Sequence, residues 1–240
     1  MSLSTARIRA IFIKELREYR RNRSILATMA VIPLVFVVNP LVQIFALPAS
    51  ASGGLAHAHV LVYMLGIPAI VPAVVAAYSV VGERAQGSLE PVLISPIPRQ
   101  ELLLAKALAA LVPSLAVSYV LFGLVVASVE LFAAPGVATA IAQGPDLLAQ
   151  VIFTPLVAGW SIWLGIAIST RASEVRVAQQ LGTLASVPSA IVAALVAYDV
   201  IHPTVGLAIG FFVLLLALNI AGWRITSALF DRERLIAGAR

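Results

Sequence analysis

Apolar residues fall in six long runs free of Asp, Glu, Lys and Arg, at 25–47, 60–81, 107–129, 147–170, 177–198 and 204–223. A helix needs about 20 such residues to cross the hydrocarbon core of a bilayer. Each run is long enough, so the pattern predicts six membrane-spanning helices. Prolines punctuate them, with Pro33 and Pro40 in the first, Pro68 and Pro72 in the second, and Pro113, Pro155 and Pro188 in the third, fourth and fifth. Proline kinks a helix, which lipid tolerates only where neighbouring groups satisfy the freed backbone. The segment ahead of the first run has a different period. Ile8, Ile11, Phe12, Leu16 and Tyr19 recur at helical spacing, with Arg7, Lys14, Arg17, Glu18, Arg20 and Arg21 around the rest of the circumference. This predicts an amphipathic helix lying in the headgroup plane against anionic lipid.

Composition supports the membrane reading, since 61% of the 240 residues are hydrophobic and 11% charged. A soluble domain carries roughly 25% charged residues. The fold class expected is therefore all-α integral membrane, with an interfacial helix at 1–24, a six-span domain at 25–227 and a tail at 228–240. The tripeptide Ala49-Ser50-Ala51 resembles a signal-cleavage sequence. The apolar run before it is about twice the length of a signal core, so the first span is expected to be retained. With no cysteine in the chain, disulfides, thiolate metal sites and a Cys nucleophile are excluded.

The distribution of charge orients the spans. All sixteen Lys and Arg residues lie in the leader, in the connections after the second and fourth runs, and in the tail; the other connections hold none. By the positive-inside rule both termini are expected to be cytoplasmic. The net charge of +5 is then a mark of topology, and no nucleic-acid partner is expected.

Candidate chemistry is sparse. The runs contain only neutral polar groups such as Asn39, Gln43, Ser79, Ser114, Ser118, Gln179, Gln180 and Asn219, so an ion gradient has little to act on. Neither Lys14 nor Lys106 follows a glycine, so the chain has no phosphate-cradling G-x-x-x-x-G-K-[ST] loop. His57-Ala58-His59 lacks the spacing for two ligands on one helix face and reads as solvated loop, with a weak metal or pH-sensitive site as the alternative. Gly159-Trp160-Ser161-Ile162-Trp163 departs from a nucleophile elbow at its last position. No catalytic, cofactor or metal site emerges.

The connection at 82–101 is chemically unlike the rest. Glu83 and Arg84 close the second run, Gly87 breaks the helix, and Ser88-Leu89-Glu90-Pro91-Val92-Leu93-Ile94 offers a short amphipathic turn. Ser95-Pro96-Ile97-Pro98 then forces an extended bend before Arg99. Such a knob can seat Leu89, Val92 and Leu93 in a partner's groove with Glu83, Arg84, Glu90 and Arg99 at the rim. A capped helical hairpin with boundary charges is the plainer alternative.

These residues resemble the type-2 membrane subunit of ATP-binding cassette transporters. That family shows a K-E-L-type leader, here Phe12, Lys14, Glu15, Leu16 and Arg17, and an E-R-x-x-G-[ST]-L-E-x-x-L-x-[ST]-P segment. The second motif is met by Glu83, Arg84, Gly87, Ser88, Leu89, Glu90, Leu93, Ser95 and Pro96, with Lys106 in the helix beyond. Phe230 to Leu235 is similar to the tail of some members. The resemblance implies two copies of a P-loop ATPase subunit, holding ATP and Mg, docked on the 83–99 segment and the leader. It also implies a second permease, as a homodimer or a different chain, with the substrate path between the two. Outward movement of a hydrophobic or amphipathic substrate is the expectation, with haem, sodium or polysaccharide export as alternatives in the class. The family's S-G-x-x-F-P segment and re-entrant helices before the last span have no counterpart in 187–204, so a reduced outer gate is expected. A gradient-driven carrier or channel, and an intramembrane enzyme, remain the competing classes.

Overall fold

The computed structural model describes residues 4–45, 59–88, 97–133, 135–141 and 143–229. Their order is α1 (Thr5–Arg21), α2 (Arg23–Phe45), a 3-10 turn (Val60–Leu65) running into α3 (Gly66–Ala85), α4 (Arg99–Phe132), the short α5 (Pro135–Ile141), α6 (Gly144–Arg171), α7 (Val175–Ala197) and α8 (Val205–Leu229). No strand occurs among the described residues. Among the described residues six helices, counting the turn and α3 as one, are long and apolar enough to span a membrane. In hydrocarbon only structures that satisfy their own backbone can cross, and helices do so within each segment. Pro33, Pro40, Pro72, Pro113, Pro155 and Pro188 all lie inside continuous helices.

The helices surround α3, which contacts α2, α4, α6 and α7. Of the apolar window in the turn and α3, 89% is buried, against 6% in α8, which rests mainly on α6. Small residues permit this enclosure. A Cβ on Gly165 of α6 would overlap the Ala73 carbonyl of α3, and one on Gly182 of α7 would sit 3.3 Å from the same oxygen. The Ser169 hydroxyl accepts from the N–H groups of Val80 and Val81 at 3.0 Å, adding a polar tie between α3 and α6. On the other flank of α6, Asn219 of α8 donates to the carbonyl of Leu156 at 2.9 Å, and Trp163 meets Trp223 edge-on at 5.4 Å.

The helix that contains the charge-free run 107–129 begins at Arg99, as the bend before Arg99 predicts, and it carries Glu101 and Lys106 as buried residues satisfied by other helices. One expectation is corrected. His59 is not a solvated loop residue: its Nδ1 lies 2.7 Å from Asp146 Oδ1, and the imidazole is 17% exposed. His57 lies outside the described residues. Between α7 and α8 the described chain turns through 198–204 without a helix, with Asp199 at φ 56.

Candidate coupling site

The helix α1 forms because its apolar positions return every three or four residues, and it ends at Asn22, whose N–H bonds the carbonyls of Glu18 and Tyr19. Ile11, Phe12 and Leu16 pack on the main core, while Arg9, Arg17, Arg20 and Arg21 stay exposed. Glu15 and Tyr19, one turn apart, share the buried face and are 1% and 3% exposed. A carboxylate there requires a partner. Its partner is Lys106 of α4, fully enclosed, which donates from Nζ to Glu15 Oε1 and to the Ser79 carbonyl of α3, both at 2.8 Å. Glu83 Oε2, near the end of α3, lies 2.9 Å from the same Nζ as an ion pair without hydrogen-bond alignment. The ammonium has three protons and three oxygens around it.

Lys14 closes the cluster from outside. Its Nζ contacts Glu83 Oε1 at 2.5 Å, Glu18 Oε1 at 2.9 Å and Glu15 Oε1 at 3.5 Å. Two lysines thus stand among the carboxylates of Glu15, Glu18 and Glu83, joining the leader helix to α3 and α4. Burial works against the Lys14 charge, but Glu15 and Glu83 outweigh it and raise the ammonium above the ordinary lysine range. Burial pushes the Glu15 carboxyl up, and the pull of Lys106 offsets only part of this. The Tyr19 phenol is also raised, first by burial and then by the nearby carboxylates. The close approach of Glu15, Glu18 and Glu83 is explained by these lysines, so the acidic cluster is a salt-bridge network.

A second ion pair secures the start of α1. Arg7 grips Glu101 of α4 through Nε at 2.6 Å and Nη2 at 2.8 Å, and the Ser4 N–H adds a bond at 2.8 Å to the same carboxylate. Two arginines tie helix ends. Arg84 Nη1 donates to the Ala172 carbonyl at 2.9 Å, beyond the last turn of α6, and Arg99 Nη1 to the Ser227 carbonyl of α8 at 3.1 Å. Cations suit the C-terminal ends of helices, where unpaired carbonyls collect. Consequently the ends of α3, α6 and α8, the start of α4 and the whole of α1 share one face.

Of the residues singled out at 82–101, Glu83 is turned inward rather than to a rim, and Arg84 is half-buried against α6. Gly87 takes φ 67 and ends α3: the Ser88 N–H bonds Glu83 O at 2.9 Å, and the Gly87 N–H bonds Arg84 O at 3.1 Å. That pair of bonds is a Schellman cap, which needs the left-handed conformation glycine adopts freely. Arg99 is exposed, and Leu89, Glu90, Leu93 and Pro96 lie outside the described residues. Phe12 and Leu16 support the inward face of α1, Lys14 and Glu15 enter the ionic cluster, and Arg17 faces outward. The sequence reading did not assign the ionic partners Glu101 and Lys106. Their signal was the gathering of opposite charges at one end of the spans.

A bundle of six apolar helices, buttressed at its basic face by a charged leader helix, defines a multi-pass membrane protein. The family described as ABC-2 family transporter protein matches residues 9–222, and the chain belongs to that family. It is thus a permease component of an ATP-binding cassette transporter, and membership implies an ATP-binding partner subunit. No curated protein matches the chain.

Proposed function

We propose that this chain is the permease half of an exporter in which α1 and the 82–101 segment receive the motion of a docked P-loop ATPase. The observation that carries the reading is Lys106, whose one ammonium holds Glu15 of α1 and Glu83 of α3 from within α4. A displacement at the end of α3 or along α1 is therefore delivered to two spans together. On this reading the basic face is cytoplasmic, two permeases and two ATPases assemble, and ATP and Mg belong to the ATPase. The apolar and neutral polar character of the spans favours a hydrophobic or amphipathic substrate.

Leu89→Asp is expected to release the ATPase while leaving the permease folded and inserted, because a charge enters an apolar contact. Copurification with the coexpressed ATPase, and nucleotide-dependent transport in vesicles, measure this. Unchanged copurification, or transport without nucleotide, overturns the reading. The lack of cysteine makes orientation simple to test with single-cysteine variants. Gln86→Cys should resist an impermeant thiol reagent in intact cells and His202→Cys should react. The opposite pattern inverts the topology.

A further inference from the structure

At the end of the bundle opposite the basic face, α7 and α8 both pack on α6 but diverge, and a cavity of about 400 Å³ opens between them. Its walls include Phe153 and Val157 of α6, Val192 of α7, and Phe211 and Leu215 of α8. The polar end is formed by Asp146 and His59, paired at 2.7 Å. Asp146 is only 4% exposed, so a charged group is held within a largely apolar lining.

Both long walls give similar depths. From Asp146 to Val157 along α6 the rise is roughly 16 Å, and from Val205 to Leu215 along α8 roughly 15 Å, at 1.5 Å per residue. That is about half of a 30 Å hydrocarbon core, the depth of one leaflet. The volume falls within the roughly 300–1,000 Å³ typical of small-molecule sites. In the single chain α8 is exposed over almost its whole length, so one wall of the cleft has little protein behind it. An apolar gap left empty forfeits the contacts of its lining.

We propose that this cleft binds a phospholipid with an amine-bearing head, one acyl chain lying between α7 and α8 and the ammonium against the Asp146 carboxylate. The His59 imidazole holds one oxygen of that carboxylate, and in this proposal the other meets the head. A primary ammonium supplies N–H donors to that oxygen; a quaternary choline has none, and an anionic glycerol head is repelled.

The test uses full-length protein relipidated with equal parts of phosphatidylethanolamine, phosphatidylcholine and phosphatidylglycerol, stripped with mild detergent and weighed by native mass spectrometry. Wild type should retain phosphatidylethanolamine selectively. Ala149→Trp and Ala208→Trp fill the cleft from opposite walls, and each should cut retention about tenfold, equal to about 1.4 kcal/mol. Asp146→Asn should keep a bound lipid but lose the preference for the amine. Equal retention by wild type and whichever tryptophan variant folds overturns the proposal, as does selection of phosphatidylglycerol or a retained mass that is not lipid. The ATPase is absent from this assay, so its outcome is independent of the coupling reading.

Discussion

Lys106→Met is expected to detach α1 from the bundle. The substitution preserves side-chain length and removes the ammonium that serves Glu15 and Glu83, leaving two carboxylates buried with only Lys14 to share. Removing one partner of a buried ion pair costs about 3–5 kcal/mol, because the charge left behind is uncompensated. The expected result is a lower melting temperature in detergent and faster proteolysis near Asn22, where α1 meets α2. Combining it with Glu83→Gln should recover part of the loss, since the second change removes a stranded charge. As a control, Arg17→Ala on the exposed face should change stability by less than about 0.5 kcal/mol. A melting temperature for Lys106→Met equal to wild type would show that the network does not hold the leader.

The second large effect is expected at Gly165. A valine there drives its Cβ into the Ala73 carbonyl and to within 2.9 Å of the Ala76 Cβ and 3.0 Å of the Ala77 nitrogen. Two of these obstacles are backbone atoms of α3, which cannot rotate away. Overpacking a tight interior costs about 1–3 kcal/mol, and the rigid obstacle places Gly165→Val at the upper end. Gly182→Ala, at 3.3 Å from the Ala73 oxygen, should be mild by comparison. Melting temperatures should therefore rank wild type, then Gly182→Ala, then Gly165→Val. The reverse order of the two variants would contradict the packing of α6 against α3.

Much of the architecture was legible because hydrocarbon imposes a blunt constraint. Charge-free runs fixed the number of spans, and the runs near 25–47 and 177–198 coincide closely with α2 and α7. The same constraint gave no sign that Glu101 and Lys106 are buried near the start of α4, where Arg7, Glu15 and Glu83 come to meet them from elsewhere in the chain. Periodicity predicted a helix over α1 but did not show that Glu15 is buried against a lysine far along the sequence. Gly87 was legible as a helix breaker because a left-handed cap is a local property. The Asp146–His59 pair and the cleft were not, as they arise from how α6, α7 and the turn at Val60–Leu65 pack together.

The enclosure of α3 also bears on how the protein is made. In chain order α3 is made before α6 and α7, the two helices on which it packs most extensively. Until they arrive, the nascent segment presents to lipid a surface of Ala73, Ala76 and Ala77 shaped for protein rather than for acyl chains. The turn and α3 are as apolar as the other spans, which suits the segment to hydrocarbon by itself, while its small side chains leave room for the glycines of α6 and α7.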